Sequence, residues 1–173
     1  MPQKSDIQYL ESLKDTKIAT ISGRYYVMDR DKNWDRVKPA YDAIVLGKGD
    51  KNQDAIAGVQ ESYNNAITDE FVKPCVIGDY QGMQEGDALL FCNFRADRAR
   101  EISDAILDDK FNGFETKKVN LSQAISLTEY SENLNKFYEI IFPSDEVKNS
   151  LPEILSNKGL NQLRIAETEK YAH

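Results

Sequence analysis

Residues 88–106 read ALLFCNFRADRAREISDAI, and the change of pattern at Arg95 decides the fold class. Ala88 to Phe94 is a continuous apolar run of strand length, as expected for a strand covered on both faces. Beyond it the period changes. Ala99, Ile102, Ala105 and Ile106 recur at helical spacing, with Asp97 placed to cap the helix. A strand passing directly into an amphipathic helix is the building unit of an α/β protein. The junction carries Arg95 and Arg98. In open α/β folds, ligands bind at strand ends and in the turns that follow them.

The same arrangement occurs once more upstream. Lys17 to Ile21 (KIATI) reads as a strand, and it leads into Ser22-Gly23-Arg24-Tyr25-Tyr26-Val27-Met28-Asp29-Arg30-Asp31. An arginine presents a planar fork of donors suited to phosphate or carboxylate, and it keeps its charge near neutral pH. Arg24, Arg30, Arg95 and Arg98, each following a strand, therefore point to a small anionic ligand. The alternative is that each pairs with a neighbouring Asp (Asp29, Asp31 or Asp97) on a solvated surface.

Other elements follow from spacing. Ile7, Leu10 and Leu13 mark a short helix. Trp34, Val37, Tyr41, Ile44 and Val45 mark a longer one stopped by Gly47, with Pro39 expected to kink it or split off its first turn. Asp54 to Ile67 reads as a helix, Cys75 to Gly78 as a strand, and Gly78 to Gly86 as a connection. Further strands are expected near 124–128 and 137–142. Pro143-Ser144-Asp145 marks a boundary, followed by a helix through Val147, Leu151, Ile154 and Leu155, a stop at Gly159, and a strand from Gln162 to Ile165. The expected fold is α/β, with a mixed, largely parallel sheet flanked by helices.

A chain of 173 residues with 40% hydrophobic and 29% charged residues can form a core without disulfide or metal staples. Its net charge of −7 argues against a general nucleic-acid or membrane-surface binder. Cys75 and Cys92 each sit in an apolar run and are expected to be buried, reduced thiols. No window approaches the ~18 apolar residues of a membrane span, and the N-terminus lacks a signal core. The expected compartment is the cytoplasm.

Four stretches together resemble one family: 22–36 (SGRYYVMDRDKNWDR), 69–74 (DEFVKP), 93–99 (NFRADRA) and 162–173 (QLRIAETEKYAH). In that order and at those separations they resemble the cofactor-independent phosphoglycerate mutases. The resemblance implies a two-domain, monomeric, manganese-dependent isomerase of glycolysis and gluconeogenesis. Such an enzyme interconverts 3-phosphoglycerate and 2-phosphoglycerate through a phosphoserine. It has an alkaline-phosphatase-like domain, holding the metals and the Ser, and an inserted phosphotransferase domain. The substrate-holding residues it implies here are Arg24, Arg30, Arg95, Arg98 and Lys170, with Asp97 beside the arginines. Ala96 stands where the family has Pro, which loosens that turn and leaves both guanidinium groups in place.

The resemblance also implies that 1–143 is the phosphotransferase domain without its beginning, and that 144–173 is the linker and the start of the returning phosphatase segment. Counterparts of the nucleophilic Ser and of the metal-binding Asp and His set are not found, so the chain alone is expected to be inactive. Exposed edges are expected to favour self-association. The alternative is a non-catalytic phosphate- or carboxylate-binding module derived from such an enzyme. Tyr25, Tyr26 and Trp34 are expected to pack the turn and the following helix against the sheet rather than stack on a ligand. His173 is expected to be structural or terminal, because one His cannot make a metal site. Without the family, Lys170 reads as a surface ion-pair partner in 167–170 (ETEK).

Overall fold

The computed structural model describes residues 7–144 and 147–166. Two three-stranded sheets and the helices packed on them make up the fold. In the first sheet, β1 (Thr20–Ile21) runs antiparallel to the central β3 (Cys75–Ile77), and β2 (Asp50–Asn52) runs parallel to β3 on its other side. Thr20 lies opposite Val76, and Asp50 opposite Cys75. In the second sheet, β4 (Ala88–Phe91), β5 (Gln123–Ser126) and β6 (Glu139–Ile140) are parallel in sequence order, with Leu90 opposite Ile125. The expected mixed, largely parallel α/β architecture is therefore present, divided between two small sheets.

Two long helices join the sheets. In α3 (Trp34–Leu46), Val37, Tyr41 and Val45 fall at four-residue spacing and are buried. They meet Ile102 and Ala105 of α5 (Ala96–Leu107), with Met83 between them. The hydroxyl of the fully buried Tyr41 donates to the carbonyl of Lys117 at 3.0 Å and accepts that residue's N–H at 2.8 Å. One side chain thereby fixes the long segment that leads into β5. Gly47 ends α3 at φ +61°, and a Cβ there would lie 2.4 Å from the backbone of Gln81. Conformation and close approach both require glycine.

On the second sheet, Leu89, Phe91, Ala124 and Ile140 pack against Ala99, Tyr130, Leu134 and Tyr138. Helix α4 (Ala55–Asn64) covers the first sheet, and its Asp54 cap accepts the N–H of Ala57 at 2.8 Å. The short helices α1 (Gln8–Glu11) and α2 (Arg24–Val27) flank β1, and α6 (Leu151–Asn157) lies near the end of the chain.

Several expectations need correction. Strand β4 is an edge strand with alternating burial, and Leu90 is 54% exposed, so only one face is covered. Asp97 is not the cap of α5: that position belongs to Arg95, and the Asp97 carboxylate is engaged by arginines instead. Helix α3 runs unbroken past Pro39, so its first turn is not split off. Cys75 is buried and Cys92 is exposed, and both are free thiols. Residues 162–165 form no strand and are exposed, paired with none of the described strands.

Candidate functional site

The first arginine cluster is built by close backbone contact. Gly23 donates its N–H to the carbonyl of Val72 at 2.7 Å, and a Cβ on Gly23 would lie 2.4 Å from the carbonyl oxygen of Glu70. Only glycine allows this approach, which brings α2 against 70–72. Arg24 then meets Glu70 at 3.0 Å. The Tyr25 ring packs edge-on to Tyr26 and tilted against Phe71, with the Arg36 guanidinium 4.2 Å from its centre. Trp34 packs edge-on to Phe111 and Phe114. The ring partners of these side chains lie outside the strands, so the expected packing against the sheet is not what these contacts show.

The turn from Met28 to Asn33 carries Arg30. Asp29, only 5% exposed, accepts the N–H of Asp31 at 3.0 Å and of Asn33 at 2.9 Å. It also takes the Asn33 amide at 3.1 Å and the Arg36 guanidinium at 3.4 Å. Burial opposes ionisation of Asp29, but these donors outweigh it and hold the carboxyl below the usual range. Lys32 sits at φ +58°, and its N–H reaches Oε1 of Glu101 at 2.8 Å.

The second cluster meets the first across Asp97. Arg30 donates to Oδ2 of Asp97 at 3.0 Å, and Arg95 donates to Oδ1 at 3.2 Å, so one carboxylate bridges the two clusters. Burial works against ionisation of Asp97, yet Arg30 and Arg95 pull its carboxyl below the usual range. Arg98 donates to the carbonyl of Met28 at 2.6 Å. Burial, then the positive charges of Arg30, Arg95 and Arg24, push the Arg98 guanidinium downward, with Asp97 opposing.

All four arginines thus act in one local field, 67 residues of chain separating Arg30 from its Asp97 partner. Among the described residues, Glu70 pairs with Arg24, and Asp97 pairs with both Arg30 and Arg95. The Arg24–Glu70 and Arg95–Asp97 pairs involve half-exposed guanidinium groups. Pairs of that kind contribute ~0–1 kcal/mol each. Arg98 differs, since its bond to Met28 ties α5 to the turn.

The structure therefore assembles Arg24, Arg30, Arg95, Asp97 and Arg98. Lys170 and His173 lie outside the described residues. Sequence reasoning missed Glu101 and Glu70. A weak signal existed for each: Glu101 lies one helical turn beyond Asp97, and Glu70 lies in one of the four family-like stretches. Among the described residues, no group of three or more His, Cys, Asp or Glu side chains could hold a metal ion. A polar concavity of about 800 Å³ near Asp108, Lys118 and Glu139 is not lined by any of the four arginines.

Comparison with known proteins bears on what this site belongs to. The family model described as BPG-independent PGAM N-terminus matches residues 2–132. The chain is 50% identical over 160 residues to the 2,3-bisphosphoglycerate-independent phosphoglycerate mutase of Aliarcobacter butzleri, covering 92% of this chain and 32% of that protein. It is 47% identical over 176 residues to the enzyme of the same name from Methanococcoides burtonii, covering 98% of this chain and 34% of the relative. Among solved structures, a phosphoglycerate mutase of Leishmania mexicana at low cobalt concentration superposes with a TM-score of 0.70 at 26% identity. That alignment covers 89% of this chain and 31% of the other. The chain spans about a third of the length of the curated relatives it matches. A match through so much of the chain settles the family: it belongs to the BPG-independent phosphoglycerate mutases, in the N-terminal region that the family model describes.

Proposed function

We propose that this chain is the substrate-holding part of an enzyme that interconverts 3-phosphoglycerate and 2-phosphoglycerate through a phosphoserine. The observation that carries this reading is that Arg30 and Arg95 share one carboxylate, Asp97, with Arg98 bound to Met28 beside them and within the field of Arg24, Arg30 and Arg95. Phosphoglycerate has a phosphate at one end and a carboxylate at the other, and both suit guanidinium forks. Arg30 and Arg95 exchange the Asp97 carboxylate for an anionic end of the ligand, while Arg98 stays bound to Met28 and keeps the frame in place. A hydrogen bond to a charged group contributes about 1.5–3 kcal/mol net. Arg30 and Arg95 together therefore contribute about 3–6 kcal/mol, the scale of a ligand held at roughly millimolar affinity.

Phosphoryl transfer needs positioning and charge neutralisation. Under this reading the chain supplies the positioning. The described residues provide no set of three metal ligands, and no step through manganese is derived from them. Manganese and the nucleophilic Ser of the full-length enzyme are assigned to its other segments. Residues 1–143 form the phosphotransferase domain, and 144–173 lead back toward the phosphatase domain, so that Lys170 meets the substrate on domain closure. The full-length enzyme is a cytoplasmic monomer with phosphoglycerate as its partner, without nucleic acid or membrane. The chain alone is inactive and self-associates through exposed edges.

The test is calorimetric titration of the chain with 3-phosphoglycerate, beside an Arg95→Ala variant. Arg95 is half exposed and outside the core, so the variant keeps the fold. Saturable binding that weakens at least tenfold in Arg95→Ala is expected, corresponding to the loss of about 1.5 kcal/mol or more. Absence of saturable binding at millimolar ligand overturns the reading, as does equal affinity in the variant.

A further inference from the structure

The Met28–Asn33 turn is held by groups that phosphoglycerate binding alone leaves unexplained. Its successive N–H groups at Asp31, Lys32 and Asn33 are taken alternately by Asp29, Glu101 and Asp29. Lys32 adopts the left-handed region that residues other than Gly, Asn and Asp rarely occupy, and its N–H is held there by Glu101. Asp97, Arg98 and Glu101 all project from the first half of α5 onto this turn.

Glu101 is 7% exposed, and its second oxygen, Oε2, is buried without a donor. An ionised Glu101 would leave that oxygen unsatisfied and would face the charge of Asp29. A proton on Oε2 removes both difficulties, with Asp29, whose charge acts on Glu101, as its acceptor. Asp29 keeps its charge on the N–H groups of Asp31 and Asn33.

We propose that Glu101 is a positioning residue of the arginine cluster: sharing one proton with Asp29, it locks the Met28–Asn33 turn and so sets Arg30 against Asp97 and Arg95. This deepens the proposed function and rests on it for the identity of the ligand. The surroundings agree with a single shared proton. Asp31 adds negative charge from the turn, and Arg36 of α3 compensates Asp29 alone at 3.4 Å. Within α5, Asp104 is pushed up to about 6, first by burial, while Lys32 and Arg100 counter the shift. Arg98 is committed to Met28. Burial, then the charge of Asp29, push the Glu101 carboxyl up to about 7 against the bond from Lys32. Above that pH the pair carries two charges, the turn loosens and the hold on an anion at Arg30 weakens.

The test is an NMR titration of the isotope-labelled chain between about pH 5.5 and about pH 8.5, in wild type and Glu101→Gln. Gln keeps an acceptor for Lys32 and a donor for Asp29, so the variant mimics the locked form. The amides of Asp31, Lys32 and Asn33 and the Nε–H of Arg30 are expected to share one inflection in wild type that is lost in Glu101→Gln. Flat wild-type amides, or an inflection that survives the substitution, overturn the proposal without reference to any ligand. A second arm measures 3-phosphoglycerate affinity across the same range. Wild-type affinity is expected to fall about fivefold more than that of Glu101→Gln, a coupling of ordinary allosteric size. Comparing the two proteins cancels the ligand's own titration. Equal pH dependence overturns the link between Glu101 and the cluster. Failure of both proteins to bind at any pH counts instead against the phosphoglycerate reading, while the amide titration still decides the shared proton.

Discussion

Helices α5 and α6 both carry apolar residues at helical spacing, yet only one of them is embedded. Ala99, Ile102 and Ala105 of α5 are buried against α3 and the second sheet, and Glu101 and Ser103 are drawn in with them. Helix α6 has no buried residue, and Leu151 is 64% exposed. An apolar stripe stabilises a fold in proportion to the area it removes from water. That area depends on a facing surface, and no described residue of α6 is buried by one. The difference also separates the functional roles. Helix α5 can hold Asp97, Arg98 and Glu101 rigidly because its other side is packed, and α6 offers no such platform.

The sharpest way to break this comparison is to truncate both stripes. Ile102→Ala is expected to cost about 2–5 kcal/mol in chemical denaturation, since the side chain is fully buried and leaves a cavity. Leu151→Ala is expected to stay within about 0.5 kcal/mol of wild type. Similar losses at the two positions would mean that α6 is packed in solution.

A smaller effect sharpens the role of α5 in the site. The folded Glu101 carboxyl lies at about 7, above its ordinary value of 4.5. Between those values the folded state holds a proton that the unfolded chain has released. Stability contributed by this group therefore falls as pH rises through the window and levels off above about 7. The fall amounts to at most about 3.5 kcal/mol, at about 1.4 kcal/mol for each tenfold difference in proton affinity between the folded and unfolded chain. Denaturation at a series of pH values should show it in wild type and lose it in Glu101→Gln. A rise in wild-type stability across the window would mean that other groups dominate.

The smallest expected effect is at Asp97. Asp97→Asn removes the charge that bridges Arg30 and Arg95, and the partly exposed pairs limit the stability loss to about 1 kcal/mol. Binding should respond in the opposite sense. With their competing carboxylate neutralised, the two arginines are expected to bind sulfate more tightly, as read by calorimetry. Weaker binding in the variant would make Asp97 an orienting group rather than a competitor.

Much of this molecule could be read from the residues alone. The strand-to-helix change at 88–106, the stop at Gly47 and the buried stripes of α3 and α5 are local patterns, and periodicity reports them. The four arginines were legible because two strand-like runs each end in an arginine pair, and the family resemblance rested on the same stretches. Errors came where a residue's environment is set by distant chain. Ala88 to Phe94 reads as a doubly covered strand, but β4 is a half-exposed edge, because coverage depends on which elements lie on each face. Residues 162–165 have strand-like composition and no strand, since a ladder requires a partner. Asp97 has the composition of a cap, yet Arg30, far away in sequence, engages its carboxylate. Glu101 was the clearest omission. Its burial, its bond to Lys32 and its proximity to Asp29 arise only when α5 packs on the Met28–Asn33 turn. Local sequence marked four arginines whose chemistry suits an anion. Only the tertiary structure decided that Arg30 and Arg95 meet on Asp97 and that Asp29 and Glu101 are buried at the Met28–Asn33 turn, because charge interactions depend on distance and desolvation rather than on order along the chain.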